Sequence, residues 1–412
     1  MRVGYVTQWY SPEPAAVPVG IAEGLARRGH QVDVVTGIPN YPTGHVYPGY
    51  RIRPYQREGT VARVTVHRAA LYPSHDQRAA HRVANYTSFA ASAALVTRAK
   101  VPSPDIWLIY SSPATACIPA IRLLKRNRRP VFLMIQDLWP DSVLDSSLAA
   151  GRFRQLAGDA LTRFCDFSYR YAAGVGVISP GMAEVLAARG IPRDKIHYTP
   201  NWTADPRAAA AERGPSATLS ASRAELGLPD GRLWVYAGNF GDLQCLDPLI
   251  DAFARRPQAS LVLVGDGIMR DRLRAQADQL DAGNVHIRPR VSQADAHRLL
   301  ESADVQVVSL ADVPLLRTTM PSKMQTSLAL GTPVLVHGAG DVAQLVTGAG
   351  AGWVASPHDI ASLLAAIDHG LAAPQERLDA MGAAARDVYE REFTPEVGIA
   401  ALEQALTACL GT

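Results

Sequence analysis

Three turns in the second half of the chain combine glycine with polar or basic residues. GNFG at 238–241 and GDG at 265–267 each follow an apolar run typical of a buried strand, and PSK at 321–323 opens a helical pattern. Glycine lets a backbone approach phosphate oxygens closely, and the first turn of a helix offers unpaired N–H groups to anions. Lys323 adds a positive charge. The pattern favours a diphosphate site at the carboxyl ends of parallel strands.

Each turn alone is also typical of an ordinary strand-to-helix connection, so the interpretation depends on all three together. No predicted strand is followed by GxGxxG, which disfavours a nicotinamide dehydrogenase. The P-loop pattern is also missing, which disfavours direct ATP hydrolysis.

Two segments of the first half carry further candidates. QDLWPD at 136–141 follows the apolar run VFLMI, so Asp137 lies at a strand's carboxyl end, where ligands bind. Asp137 would also suit a helix N-cap. PNYPTG at 39–44 is a turn carrying an aromatic, Tyr41, which suits stacking on a sugar or a rigid surface loop equally well.

Alternating strands and helices must position these residues. Short β-branched runs alternate with Ala-, Leu- and Arg-rich segments, which is typical of βαβ units with a parallel sheet, and the pattern occurs twice. We predict a first crossover helix at 20–28. The predicted strands are 3–7, 31–36, 62–68, 106–110, 131–135 and 174–178, then 234–237, 260–264, 285–288, 305–309, 332–336 and 352–354.

A length of 412 residues indicates two domains, and the polar, Ala-, Gly-, Pro- and Ser-rich segment 203–231 predicts a linker that leads into a surface helix. We expect an α/β protein of two Rossmann-like domains, 1–203 and 204–394, facing each other across a cleft. A helix in 395–412 is expected to pack back on the first domain.

Composition restricts the class of protein. The chain is 48% hydrophobic and 19% charged with a net charge of +3, which argues against a disordered protein and a dedicated nucleic-acid binder. The four cysteines show no metal-ligand spacing, and we find neither a signal-peptide pattern nor a membrane-spanning apolar stretch. We expect a cytoplasmic protein without a bound metal or cofactor, and leave peripheral membrane contact open.

Several segments together resemble family 4 of the retaining glycosyltransferases, which have the two-domain B-type fold. The likeness is greatest to the capsule, O-antigen and colanic-acid branch of fucosyl- and N-acetylfucosaminyl-transferases, and it spans nearly the whole chain. The segments are RRGHQVDVVTGIPNYPTG, MIQDLWPDS, GVGVISPGMAEVL, DKIHYTPNW, VYAGNFGDLQCLDPLIDAF, LVLVGDG and PSKMQTSLALGTPV.

The resemblance implies a donor-binding second domain and an acceptor-binding first domain. It places the nucleotide and diphosphate of a sugar donor against Asn239, Gly241, Gly265, Asp266, Ser322 and Lys323, with Arg290 near the base. Two glutamates of the ordinary family pattern are replaced by Thr318 and Thr326, and the usual Lys-Gly pair by Gln244-Cys245. Thr326 stays in the predicted donor set. Arg317 is expected to supply missing charge, although a solvated loop arginine is an equal alternative.

For the first domain, the resemblance makes Asp137 the leading catalytic candidate beside the sugar or the acceptor hydroxyl. Gln136, Trp139 and Tyr41 are the acceptor-binding candidates. The proline-rich loop at 11–18 replaces a glycine-containing family loop and should be stiffer. Basic residues around 75–82 and 125–129 suit anionic lipid headgroups or a lipid diphosphate acceptor, or are solvated helix ends.

We therefore expect transfer of a hexose from a nucleoside diphosphate sugar to an acceptor hydroxyl with retention of configuration. We expect the acceptor to be a saccharide, a lipid-linked compound or a small molecule. One alternative is a nucleotide-sugar-binding protein without transferase activity, favoured by the missing glutamates. The other is a B-type nucleotide-sugar epimerase.

Overall fold

The computed structural model describes residues 1–59, 62–74, 78–119, 129–139, 152–208 and 223–411. The chain forms two compact units, Met1–Asn201 with Gly398–Thr412, and Trp202–Val397. The division thus falls two residues before the sequence-based boundary. Part of the expected linker and its helix, residues 209–222, lies outside the described residues.

An eight-stranded sheet forms the centre of the first unit. Its order is β3-β4-β2-β1-β5-β6-β7-β8, and only β3 pairs antiparallel. Strands β5 and β6 are buried along their full length, as expected for parallel strands covered on both faces. The strands are β1 (Arg2–Val6), β2 (Gln31–Gly37), β3 (Tyr55–Arg57), β4 (Val64–Ala69), β5 (Ile106–Ser111), β6 (Val131–Ile135), β7 (Gly174–Val177) and β8 (Ile196–Tyr198).

Helices connect these strands and the last helix returns to them. The Ile399 side chain occupies the space beside Gly24 on the first helix, and Cys409 lies against Gly174 of β7. The last helix is therefore part of the first unit's packing from Gly398 onward. The helices are α1 (Ala16–Arg27), α2 (Ala79–Ala99), α3 (Arg152–Tyr171) and α4 (Pro180–Ala188), with short 3-10 turns at Ala114–Cys117 and Arg193–Lys195.

The second unit contains a six-stranded parallel sheet in the order β11-β10-β9-β12-β13-β14. The chain runs outward from β9 to β11 and then restarts on the other side at β12, which is the doubly wound Rossmann order. The strands are β9 (Arg232–Asn239), β10 (Ala259–Asp266), β11 (Val285–Arg288), β12 (Val305–Ser309), β13 (Val334–His337) and β14 (Gly352–Ala355).

Helices cover the second sheet. Their apolar residues pack against buried strand residues such as Trp234 and Leu261. The helices are α5 (Asp247–Ala254), α6 (Arg270–Gln279), α7 (Gln293–Glu301), α8 (Pro314–Arg317), α9 (Ser322–Leu330), α10 (Asp341–Ala349), α11 (Ile360–Ala372) and α12 (Gln375–Val388), with a 3-10 turn at Asp242–Gln244 and a π-helical turn at Tyr389–Phe393. The last helix, α13 (Pro395–Ala408), belongs to the first unit from Gly398 onward. No helix within the described ranges is both long and apolar enough to cross a bilayer.

All twelve predicted strands are present, and the structure corrects three details. β3 and β8 were not predicted, because three-residue strands are too short to show a hydrophobic period. The proline-rich loop also ends earlier than expected, since α1 begins at Ala16 rather than Gly20. Pro18 fits within the first helical turn because its missing N–H has no helical partner there.

Candidate functional site

The ends of β9 and β10 lie side by side in the second unit. Gly265 pairs with Gly238 and Asp266 with Asn239 in the parallel ladder. A Cβ on Gly265 would lie 1.8 Å from the Gly238 carbonyl oxygen, so only glycine allows this approach. Glycine thus fixes how closely the two predicted turns meet.

A pocket of about 570 Å³ opens at these strand ends. It contains seven of the nine predicted donor-binding residues: Asn239, Gly265, Asp266, Arg290, Ser322, Lys323 and Thr326. The remaining lining residues are Ala237, Gly238, Val264, Val291, Gln293, Ala296, His297 and Leu300. The volume falls in the range of small-molecule sites.

Lys323 forms the cationic end of the pocket. Its Nζ donates to the Tyr236 hydroxyl at 2.6 Å, and that hydroxyl donates to the Asn239 carbonyl at 2.7 Å. Burial lowers the pKa of Lys323 to about 8, because removal of water disfavours the charged ammonium. The Nζ atom forms no ion pair with a carboxylate in the described part of the chain, so the ammonium suits an incoming anion.

The first turn of α9 lies beside that ammonium. Pro321 precedes the helix and makes no side-chain capping hydrogen bond, and the turn contains no acidic residue. Helix dipole and Lys323 thus act in the same direction on an anion. Thr326 lines the pocket, but its hydroxyl donates to the Ser322 carbonyl at 3.1 Å, which leaves only oxygen lone pairs for a ligand.

Gly241 does not join this set. Its N–H donates to the Gln244 side-chain oxygen at 3.1 Å, and the same oxygen accepts from the Asn239 amide at 3.2 Å. The residue that replaces the family lysine therefore caps the glycine turn. The Gly241 N–H is occupied rather than presented to a ligand.

Arg317 also lies outside the pocket lining. Its guanidinium contacts both carboxylate oxygens of Asp312 at 2.5 and 2.8 Å, and Asp312 also pairs with His358 at 3.2 Å. Arg317 holds the pKa of Asp312 below its usual range. A bidentate pair fixes a guanidinium in place, so the expectation that Arg317 supplies charge to the donor pocket is not supported by its position.

Three pocket-related residues were missed by sequence reasoning. Gln293 and His297 lie one helical turn apart on α7 and both line the pocket, and Tyr236 orients Lys323 from the neighbouring strand. The i, i+4 spacing of Gln293 and His297 was a usable signal. The Tyr236 contact spans 87 residues and leaves no local pattern.

In the first unit, Asp137 follows the carboxyl end of β6. Ser112, which follows the adjacent strand β5, donates its hydroxyl to Asp137 Oδ2 at 3.3 Å. The surrounding protein raises the pKa of Asp137 by desolvation, although the side chain stays accessible, and the Ser112 hydrogen bond opposes that shift. Asp137 is thus a solvent-accessible carboxylate held by a neighbouring strand.

The other acceptor-binding candidates make mainly structural contacts. The Gln136 side-chain oxygen accepts from Asn201 Nδ2 at 2.6 Å, and the Trp139 carbonyl accepts from Arg189 at 3.2 Å. The Tyr41 ring packs against Trp9 with centroids 5.3 Å apart. Trp9 follows β1 and Tyr41 follows β2, so the aromatic pair lies at the carboxyl edge of the sheet.

A buried carboxylate missed from the sequence fixes the Tyr41 loop. Glu13 accepts the backbone N–H groups of Tyr10, Asn40 and Tyr41 at 2.8–3.1 Å. Burial raises the Glu13 pKa, and these hydrogen bonds oppose the rise. Glu13, in the predicted stiff loop at 11–18, therefore fixes the position of the turn at 39–44 through backbone hydrogen bonds.

Two family models match the chain in sequence. Residues 14–202 match the glycosyl transferase 4-like domain, and residues 220–388 match glycosyl transferases group 1. The chain belongs to the glycosyltransferases of the B-type fold. The first match covers the unit that holds Asp137, and the second covers the unit that holds the pocket.

One curated relative of this glycosyltransferase matches nearly its whole length, and a second matches about half of it. It is 29% identical over 405 residues to the glycosyl transferase WcaI of Escherichia coli, assigned to colanic acid biosynthesis, with 94% of this chain and 95% of the relative covered. It is also 29% identical over 216 residues to the lipopolysaccharide core biosynthesis glycosyltransferase LpsE of Rhizobium meliloti, which covers 52% of this chain and 58% of the relative.

Solved structures share the fold of this glycosyltransferase at low identity. HepE from Anabaena in complex with UDP has a TM-score of 0.70 at 16% identity and covers 99% of this chain and 100% of its own. Sucrose-phosphate synthase from Thermosynechococcus elongatus has a TM-score of 0.70 at 18% identity, covering 98% and 97%.

Proposed function

We propose that this glycosyltransferase moves a hexose from a nucleoside diphosphate sugar to an acceptor hydroxyl, with retention of configuration. The observation that carries the proposal is the pairing of the Lys323 ammonium with the uncapped N-terminus of α9 in one pocket. Neither positive group is paired with a carboxylate among the residues that the structure describes, which suits a diphosphate that gains charge as it leaves.

The two ends of the pocket differ in chemistry, which supports a nucleoside diphosphate as ligand. Lys323 and Ser322 form the polar phosphate end, whereas Val291, Ala296 and Leu300 form an apolar wall beside Arg290 and His297. An apolar wall with a few hydrogen-bonding side chains suits a planar base. UDP is the first nucleotide to test, because HepE, which shares the fold, was solved with UDP.

The proposed step exchanges one bond for another at the anomeric carbon. The bond from that carbon to the diphosphate oxygen breaks, the acceptor oxygen bonds to the carbon, and the acceptor proton passes to the leaving phosphate. Lys323 and the α9 N-terminus stabilise the charge on the diphosphate. Asp137 contacts the sugar or the acceptor hydroxyl and orients it.

We propose that the reaction needs no metal and no cofactor. The pocket supplies a lysine ammonium and a helix N-terminus, and these can take the place of a divalent cation beside a diphosphate. Transfer measured in EDTA and in added Mg²⁺ tests this directly. Equal rates support the proposal, and a rate that depends on Mg²⁺ contradicts it.

A saccharide carried on a lipid is the proposed acceptor, since WcaI and LpsE are assigned to colanic acid and lipopolysaccharide core biosynthesis. We propose a cytoplasmic enzyme with peripheral membrane contact. Of the basic residues that motivate this contact, Arg78, His81, Arg82 and Arg129 are described, whereas His75, Lys125, Arg126 and Arg128 lie outside the described residues.

Titration calorimetry with UDP, GDP and TDP, followed by turnover of the matching nucleotide sugars, tests the proposal. We expect one nucleotide to bind and its sugar to be transferred or hydrolysed. Lys323→Met should weaken nucleotide binding, and Asp137→Asn should lower turnover without changing that binding. Binding without turnover favours a non-catalytic nucleotide-sugar-binding protein, and release of a free epimeric sugar favours an epimerase. No binding by any nucleotide overturns the proposal.

A further inference from the structure

A second pocket of about 660 Å³ lies in the first unit, and we name it the amino-end pocket. We infer that it binds a soluble, multiply charged phosphate compound at a site separate from sugar transfer. The lining residues that matter for this inference are Arg2, Asp33, Arg57, Arg63, His67 and Lys100.

Topology brings these residues to one edge of the sheet. Arg2 and Gln31 begin β1 and β2, and Arg63 directly precedes β4. Arg57 ends β3, which runs antiparallel to β4, and Lys100 follows the end of α2. Both segments therefore run back to the same edge of the sheet. Asp137 follows the opposite, carboxyl edge, roughly 15 Å away for strands of five residues. The amino-end pocket is therefore separate from the proposed transfer chemistry.

The charge of the amino-end pocket is strongly unbalanced. Four cations, from Arg2, Arg57, Arg63 and Lys100, face one carboxylate, Asp33. Like charges gathered in one concavity repel each other, and a polyanion relieves the repulsion.

The single carboxylate is already engaged by the protein. Asp33 is buried and accepts hydrogen bonds from Arg2 Nε and His67 Nε2, both at 3.1 Å. His67 Nδ1 in turn lies 3.0 Å from the Tyr55 hydroxyl. Asp33 and His67 are both buried, so these contacts form a fixed floor and leave Asp33 little capacity to neutralise the remaining cations.

Two of the cations, on Arg57 and Lys100, lie at the exposed side of the pocket and are accessible to a ligand. Arg57 and Lys100 are exposed and form no ion pair with any described residue, and Lys100 Nζ lies 5.5 Å from the centre of the Tyr55 ring. Arg63 adopts a left-handed backbone with φ of 69° and donates to the Gly29 carbonyl at 3.3 Å. Residues other than glycine are uncommon in this left-handed region. The surrounding structure therefore holds the Arg63 backbone beside the pocket in a conformation that arginine rarely adopts.

The concave shape favours a compact soluble anion over a lipid surface. A flat membrane contacts protruding side chains, whereas these cations converge on a cavity of small-molecule size. The common chemistry is two or more linked phosphates, as in an inorganic polyphosphate or a nucleotide. Such a ligand would bind the first unit without entering the donor pocket.

Titration calorimetry of the full chain with inorganic tripolyphosphate tests the inference. Because the donor pocket can also hold phosphates, wild type should bind two equivalents. Arg57→Gln with Lys100→Gln should lose one equivalent, or weaken it at least about tenfold, since charge-assisted hydrogen bonds are among the strongest. Lys323→Met should lose the other. Arg98→Gln, also at the end of α2 but outside the pocket lining, is the control and should match wild type.

The results separate this inference from the proposed function. A single equivalent that disappears in Lys323→Met and is unaffected in the Arg57/Lys100 double variant overturns the amino-end pocket as a site. Co-sedimentation of the protein with anionic phospholipid vesicles is measured for wild type and the double variant. If the double variant no longer sediments with the vesicles but binds tripolyphosphate as wild type does, the inference of a soluble ligand is overturned. Loss of only the Arg57/Lys100-dependent equivalent supports the inference even if nucleotide sugars are not turned over.

Discussion

The Tyr236 hydroxyl lies 2.6 Å from Lys323 Nζ and accepts its hydrogen bond while donating to the Asn239 carbonyl at 2.7 Å. A buried strand residue thus connects the pocket's lysine to the end of β9. The ammonium is held by a neutral hydroxyl rather than a carboxylate, so its positive charge remains available to a phosphate.

The depressed pKa of Lys323, about 8, predicts pH-dependent nucleotide binding. Lysine is charged below its pKa, so UDP affinity should be highest near pH 7 and fall as the pH rises above about 8, by at most about tenfold per pH unit. Calorimetry from pH 7 to 9.5 measures the effect. Lys323→Met is the control and should bind weakly with little change across this range. The prediction is contradicted if the UDP affinity of wild type changes with pH no more than that of Lys323→Met.

Replacing Lys323 should separate stability from function. Its pKa is lower in the folded protein than in the unfolded chain, so folding disfavours the charged form at pH 7, and this cost decreases as the pH rises from 8 to 10.5. Lys323→Met should therefore raise Tm at pH 7 while weakening UDP binding by about 10- to 100-fold. Thermal scans with and without UDP measure both. A fall in both Tm and affinity would indicate that Lys323 mainly supports the fold.

The contact between β9 and β10 predicts that Gly265→Ala is destabilising. The new Cβ would lie 1.8 Å from a backbone oxygen, which cannot move without disturbing the ladder. We expect a loss of roughly 2–3 kcal/mol in the free energy of unfolding, or failure to fold. Gly283→Ala is the matched control, since no atom lies within 4 Å of its Cβ, and it should stay within about 0.5 kcal/mol. Equal stability of the two variants would show that the strands are further apart.

Asp137 and Ser112 predict a pH-rate signature. The ionised carboxylate is lost as the pH falls through its raised pKa, so turnover should decrease on the acid side. Ser112→Ala removes the hydrogen bond that opposes this rise, and should move the acid limb of kcat/KM to higher pH, whereas Ser112→Thr should restore it. Asp137→Asn should cost about 100-fold in kcat, because the sugar or acceptor hydroxyl loses the carboxylate that orients it. If the acid limb is unchanged in Ser112→Ala, the Ser112–Asp137 hydrogen bond does not set the pH dependence of turnover.

Local sequence was sufficient for twelve of the fourteen strands in the described residues and for the glycine turns. Buried parallel strands are continuous β-branched runs, and close backbone contact admits only glycine, so both requirements are visible in single residues. β3 and β8 were missed because a short edge strand forms only when a longer neighbour presents its hydrogen-bonding groups.

Only the tertiary structure decided the partners of long polar side chains. Arg317 pairs with Asp312, Gln244 caps Gly241, and Lys323 meets Tyr236 across 87 residues of sequence. The sequence alone determined the two α/β halves and the glycine turns at the ends of β9 and β10 that border the pocket, because the positions of strands and turns along the chain follow from local patterns. Which side chains enter that pocket depends on rotamers and neighbours brought together by folding, and no local spacing encodes them.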